Sequence, residues 1–456
     1  MQIDARFYLH DSDRAALAAL KAIPGFTPLL RAFMKHFNEK QFYLQNMSTN
    51  LLLGETQLPQ YYHMLPPICE KLGIEVPELY LSMEEEPNAY TFGDTKPFIV
   101  ITSGLLEIMP EENIPAVLAH ECGHIACQHS LYGTMGRIIL SEAVDILSIW
   151  GLAELAAIPL QMALSYWMRC SELSADRAAV LCCGESAPMI STCMCFSGLS
   201  KNLVGQTDVG AFLAQAERYR ELVSGSKWDK TTEFLHNAYR SHPLNAIRAL
   251  ECKEWAESED FQKIMHYMSL PDPEEGHLLS EYTSELPVLE SSKYYVGKDP
   301  EEVVAELKNL GFENVTSVRT TYKRGNVKPG NVSTVLFNDH DGFVGCQWLP
   351  TDANIQVEYF LPPTEDEIAA AHPGQRRVPN TCKGFQSMTF LQAKSELEKA
   401  GFTNIRPQCI NKGKKGFFDK QHGVVRVAIS QQTQFEKGEW FPEDADICIT
   451  FNNYMM

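Results

Sequence analysis

Residues 119–124 read AHECGH, two histidines four apart with a glutamate directly after the first. On a helix, residues i and i+4 share one face, a turn apart. His120 and His124 can therefore aim imidazole nitrogens at one ion, with Glu121 beside them. A catalytic zinc ion takes three protein ligands and leaves a fourth position for water. The ion lowers the pKa of that water toward about 7, and a neighbouring carboxylate can then take its proton. The pattern makes chemical sense only with a third ligand. Without one, it is a helix with two surface histidines.

The flanking stretch PEENIPAVLAHECGHIACQHSLYG (110–133) predicts one long helix around the motif. Pro115 suits a first-turn position, Glu111 and Glu112 suit the positive helix end, and Gly133 suits a stop. On such a helix His129 falls on the face opposite His120, which predicts a packing or supporting histidine. Cys122 and Cys127 also point away from the histidine face and read as core thiols.

Three further stretches offer partners. SELSADRAA (171–179) carries an acidic i, i+4 pair, Glu172 and Asp176. Glu172 can complete a zinc shell, and Asp176 can accept the outer N–H of a ligating histidine. The same pair also fits a solvated helix face. SHPLNAIRAL (241–250) places His242 just before a helix begun by Pro243, with Arg248 on that helix. NAYTFGDTKPFIVIT (88–102) reads as strand, turn at Gly93 and buried strand.

The chain has 456 residues and 45% apolar content, enough for two or three globular domains. A net charge of −19 argues against nucleic acid as a partner. Thirteen cysteines, with no basic and apolar leader in MQIDARFYLHDSDR, predict free thiols and a cytoplasmic location. Cys182, Cys183, Cys193 and Cys195 lack the C-x-x-C spacing of a zinc knuckle and read as buried thiols. Between Asp145 and Arg169 only Glu154 is charged. The run is long enough to span a bilayer, but Glu154, Pro159 and Gln161 favour a buried helix or helical hairpin; membrane contact through 146–168 is the alternative.

The acidic, proline-bearing segment 271–292 reads as a linker. Beyond it lies a repeat. EEVVAELKNLGFENV (301–315) matches LQAKSELEKAGFTNI (391–405), and WLPTDANIQV (348–357) matches WFPEDADICI (440–449). Leu307, Gly311, Phe312 and Asn314 recur ninety positions later as Leu397, Gly401, Phe402 and Asn404. Each copy predicts one amphipathic helix followed by strands.

Taken in order, NAYTFG, PFIVITSGLLE, HECGHIACQH, SELSADR and SHPLNAIR resemble the zinc metallopeptidases that include HtpX and the CAAX prenyl proteases. The resemblance covers roughly 45–255 and is nearest to soluble, bacterial-type members. It implies one Zn2+ held by His120, His124 and Glu172, in the gluzincin manner, and Glu121 as general base. It further implies Asp176 as a supporting carboxylate, His242 near the oxyanion and Arg248 as an anchor of its helix. The family's edge strand corresponds to Phe98, Ile99, Val100, Ile101 and Thr102, implied to bind substrate backbone by strand addition. The C-terminal copies resemble PASTA modules, which suggests recognition of a partner.

The expectation is an α+β protein. A mainly helical zincin-type domain (1–270) with a small sheet is followed by a linker (271–292) and two small α+β repeats (293–362 and 378–453). The expected activity is hydrolysis of peptide bonds in protein or peptide substrates. A non-catalytic zinc-bearing scaffold and a membrane-associated quality-control protease are the alternative readings.

Overall fold

Helices open the chain: α1 (Asp11–Ala22), α2 (Phe26–His36) and α3 (Glu39–Thr49). Our computed structural model describes residues 1–140, 158–203, 205–224, 244–271, 279–413 and 420–454. Backbone packing divides the chain into one unit of Met1–Tyr295, Val303–Thr316 and Val335–Gln356, and a second of Val296–Glu302, Ser317–Thr334 and Val357–Met456. Helices and several small sheets together make an α+β fold.

In the first unit, β1 (Leu51–Leu52), β2 (Glu78–Ser82), β3 (Ala89–Phe92) and β4 (Phe98–Thr102) form one sheet in the order β1-β2-β4-β3. β4 runs parallel to β2 and antiparallel to β3. All five β4 residues are buried, as a continuous apolar run in an inner strand requires. This corrects the expectation that Phe98, Ile99, Val100, Ile101 and Thr102 form an edge open to substrate. Their backbone is bonded on both sides, and the edge is β3.

Against the sheet pack α4 (Ile114–Ala126) and α5 (Ser130–Leu140); α6 (Ile158–Cys183) packs on both of these, α7 (Ala187–Phe196) packs on α4 and on α9 (Asn245–Ala256), and α8 (Val209–Ser224) packs on α9. Leu79, Ile99, Ile101, Leu118, Ala178 and Ile190 share one apolar cluster. The close approach of α4 to α6 depends on Gly123. A Cβ there would lie 2.7 Å from Ala178 Cβ and 3.1 Å from Ala175 Cα.

The predicted single helix over 110–133 is two helices. α4 stops at Ala126, and Gln128 adopts φ 58°, in the left-handed region. The His129 N–H then donates to the His124 carbonyl at 2.9 Å, which turns the chain back on itself before α5 begins.

Of the apolar run 146–168, residues 146–157 lie outside the described residues, and the rest opens α6, where Leu160, Leu164 and Trp167 are buried. Among the described residues no single helix is long and apolar enough to cross a membrane, while α1 and α2 meet that measure only as a pair bent by 91°. The segment read as a solvated linker holds a strand, Glu285–Val288, paired antiparallel with Gln347–Pro350, with Leu286 and Val288 buried. The thirteen cysteines are all free.

The two repeats show matching local structure. α10 (Pro300–Asn309) precedes β5 (Asn314–Thr320), β6 (Val332–Phe337) and β7 (Asn354–Phe360), in the sheet order β5-β7-β6 with His340–Asp341 beyond. α11 (Phe390–Lys399) precedes β8 (Ile405–Lys412), β9 (Val424–Ile429) and β10 (Ile447–Tyr454), in the order β8-β10-β9. Gly311 and Gly401 take φ 106° and 94° at the ends of their helices, a conformation that favours glycine. Asn314 and Asn404 donate to the carbonyls of Asp352 and Asp444, so the repeated asparagine serves the same bond twice.

Candidate active site

α4 carries His120 and His124 on one face, and α6 crosses it with Glu172. His120 Nε2 and His124 Nε2 lie 3.3 Å apart. Glu172 places Oε2 3.4 Å from His120 Nε2 and Oε1 3.6 Å from His124 Nε2. A tetrahedral zinc ion with bonds of about 2.0–2.2 Å sets its ligand atoms about 3.3–3.6 Å apart, so this donor set fits one. These three are the group among the described residues whose donor atoms converge in this way. All three side chains are buried.

The backs of the two imidazoles are held differently. His120 Nδ1 faces Asp176 Oδ1 at 2.9 Å. Arg248, from α9, donates to both Asp176 oxygens, Nε to Oδ2 at 2.8 Å and an Nη to Oδ1 at 2.6 Å, and lies 3.2 Å from Glu172 Oε2. Arg248 thus pairs with Asp176 from α9. Burial works against the Asp176 charge, but the Arg248 guanidinium outweighs it and holds the carboxyl below its ordinary range. Burial likewise works to lower His120, but hydrogen bonds to Asp176 and Glu172 raise it to about 9 without metal. Burial dominates at His124 and lowers it.

His124 Nδ1 instead meets His129 Nδ1 at 3.0 Å. His129 was expected on the far face because the helix was expected to continue. The turn at Gln128 brings it round. His129 Nε2 then meets Asp13 Oδ2 at 2.9 Å.

Glu121 is 4% exposed and its carboxylate is held by the sheet edge. Thr91 on β3 places Oγ1 2.8 Å from Glu121 Oε2 and 3.0 Å from the Glu121 carbonyl oxygen. Thr91 and Asp13 were missed from sequence. Alternation along AYTF could have flagged Thr91 as inward-facing, whereas nothing local marks Asp13. His242 lies outside the described residues. Phe98, Ile99, Val100, Ile101 and Thr102 sit inside the sheet behind β3. Cys122, Cys193 and Cys195 are buried, and no cysteine joins the donor group among the described residues.

Two clefts open at the site. One, of about 710 Å³, is lined by His120, Glu121 and Arg248 and by apolar Ile108, Val117, Met189, Phe196 and Leu199. The other, of about 630 Å³, is lined by Phe42, Tyr90 and Arg137 among others. They share Asn88 and Ala89, at the start of β3, and Glu172.

Residues 64–256 match the model of peptidase family M48. The chain is 32% identical over 265 residues to the plastoglobule-localized metallopeptidase 48, chloroplastic, of Arabidopsis thaliana, covering 58% of this chain and 76% of that one. It is 28% identical over 163 residues to a protease HtpX homolog of Ralstonia pickettii, covering 30% and 56%. The chain thus spans little more than half the length of that relative. The solved Ste24p of S. mikatae aligns at 18% identity and TM-score 0.28 over 53% of this chain and 64% of that one. The three-PASTA-domain of a Staphylococcus aureus Ser/Thr kinase aligns at 15% identity and TM-score 0.17 over 37% and 66%.

These relatives overturn the expected cytoplasmic location. The Arabidopsis relative is plastoglobule-localized and chloroplastic by name, which does not agree with that expectation. The expectation rested on the make-up of residues 1–14 and on cysteine chemistry, and neither of these fixes a compartment.

Proposed function

This chain belongs to peptidase family M48 and is a metallopeptidase, and we propose that it hydrolyses internal peptide bonds at the His120, His124 and Glu172 centre with one zinc ion. The observation that carries this reading is the donor spacing of 3.3, 3.4 and 3.6 Å, with the Glu121 carboxylate beside it. Bound zinc would supply Lewis acidity, making a water acidic near neutral pH and polarising the scissile carbonyl.

The protein's own groups do the rest. Glu121 takes the proton of the attacking water on its carboxylate and passes it to the leaving amine. Thr91 holds that carboxylate in place. Asp176 accepts from His120 Nδ1, which leaves Nε2 as the lone-pair donor. Arg248 neutralises Asp176 and steadies Glu172.

Substrate binds in extended form along the free edge of β3, beside Asn88 and Ala89, by strand addition. The apolar walls of the larger cleft favour a bulky apolar side chain next to the scissile bond. An unfolded or locally unfolded protein meets both demands, and the C-terminal repeats recruit a partner or substrate.

The test is Glu121→Gln assayed on an unfolded protein. Zinc content is expected to stay at the wild-type level while the rate falls by about 10²–10⁴-fold, the usual worth of a general base. Turnover at the wild-type rate would rule the mechanism out.

A further inference from the structure

The proposed metal centre uses Asp176 and Arg248 to orient His120 but leaves the orientation of His124 unexplained. We infer that Asp13 and His129 form a positioning chain that sets the tautomer and ring orientation of His124 from the N-terminal helix α1. The inference rests on the reading of His120, His124 and Glu172 as metal ligands.

Hydrogen-bond logic assigns every proton in the chain. His124 turns Nε2 toward His120 Nε2 and Glu172. A ligating Nε2 must be bare, so the His124 proton sits on Nδ1. That N–H faces His129 Nδ1 at 3.0 Å, which must then be the acceptor. The His129 proton is left on Nε2, which donates to Asp13 Oδ2 at 2.9 Å. Asp13 closes the chain as a carboxylate, because it also accepts from Trp167 Nε1 at 2.9 Å and from Ser174 Oγ at 2.6 Å. A carboxylate can accept three donors, and a protonated acid or an amide cannot satisfy all three.

The chain is enclosed. Asp13 is 1% and His129 3% exposed, so water does not compete for these bonds. Trp167 and Ser174 lie on α6, the helix that also carries Glu172. Asp13 lies outside residues 64–256, the part that matches the family model. It supports the ligand set from outside that stretch, because α1 packs against α6 and because the turn at Gln128 folds His129 back.

The test measures zinc affinity of the full chain by chelator competition, together with the visible spectrum of the cobalt-substituted protein. The variants are Asp13→Asn, His129→Asn, the two combined, and Trp167→Phe. Asp13→Asn is expected to weaken zinc binding by about 10–100-fold, the range for partners of ligating histidines, and to shift the cobalt bands. His129→Asn sets an amide oxygen where the Nδ1 acceptor stood. It no longer needs Asp13, so adding Asp13→Asn is expected to cost no further affinity. Trp167→Phe removes a donor to Asp13 but keeps an aromatic ring where Trp167 packs edge-on against His129, 5.8 Å between centroids, and is expected to lower the melting temperature while leaving the zinc affinity within the range of the wild type. Unchanged affinity and cobalt spectrum in Asp13→Asn would overturn the inference. So would an equal penalty for Asp13→Asn in the His129→Asn background, which would make Asp13 a support for the fold alone. If Asp13→Asn does not fold, His129→Ala against His129→Asn decides: weaker zinc binding in Ala alone supports the chain, and equal effects refute it. A wild type that binds no zinc would instead refute the metal centre itself.

Discussion

Thr91 Oγ1 lies 2.8 Å from Glu121 Oε2, so the edge strand of the sheet holds the carboxylate that lines the same cleft as His120 and Glu172. The contact joins two stretches thirty residues apart. A hydroxyl aimed at a carboxylate restricts its rotation and leaves one oxygen free for a proton. Thr91→Val keeps the shape and removes the donor. The expected result is a rate lower by about 10–100-fold, matching the roughly 1.5–3 kcal/mol of a hydrogen bond to a charged group, with zinc content unchanged. Thr91→Ser should retain most of the rate. A Val variant as fast as wild type would show that Glu121 needs no such support.

Gly123 sets the distance between α4 and α6, the helices that carry His120, His124 and Glu172. Its added Cβ would stand 2.7 Å from Ala178 Cβ. Gly123→Ala must therefore push α4 from α6, and Glu172 from the histidines. A destabilisation of about 1–3 kcal/mol is expected from overpacking, read as a lower melting temperature, with weaker zinc binding alongside. An Ala variant with wild-type stability and zinc affinity would contradict this packing.

Arg248 is 5% exposed and bonded to both oxygens of Asp176. Arg248→Leu leaves the Asp176 and Glu172 charges buried without their cation. Breaking one side of such a pair costs about 3–5 kcal/mol. Denaturant unfolding should show a loss of that order. Adding Asp176→Asn should recover part of it, because one stranded charge is removed. If the double variant is no more stable than the single one, the loss comes from packing and not from charge.

Metal loading should release protons. Burial works to lower the His120 pKa, but hydrogen bonds to Asp176 and Glu172 raise it to about 9 from an ordinary 6.5 in the metal-free protein. Near neutral pH that imidazole is charged, and zinc must displace its proton. Zinc affinity should therefore climb with pH up to about 9. The sign for folding is opposite. A raised histidine pKa stabilises the metal-free fold fully below 6.5, and this contribution fades as pH rises through about 9. Calorimetry in buffers of different ionisation enthalpy counts the released proton, and finding none near neutral pH would contradict this account.

Most of the donor group was legible in the sequence because its geometry is helical arithmetic. The spacing of His120 to His124 and of Glu172 to Asp176 places each pair on one helix face whatever surrounds them. The repeat was legible for a similar reason. Gly311 and Gly401 mark helix ends that need a positive φ, and Asn314 and Asn404 make the same local bond. The buried run FIVIT announced an inner strand, although its place in the sheet was misread. Run composition reports burial but not which neighbours pair on either side.

Long-range placement was decided only by tertiary structure. Whether β3 or β4 forms the edge depends on strand order, which no local pattern encodes. Whether His129 reaches the back of the His124 ring depends on a left-handed residue at Gln128 that a uniform helix rule does not foresee. Asp13 reaches the centre because α1 packs on α6 more than a hundred and fifty positions away. Local spacing therefore determined which side chains could bind one ion, since a helix fixes those distances by itself. Packing decided which groups orient and enclose them, since those contacts exist only once distant segments bury their apolar faces together.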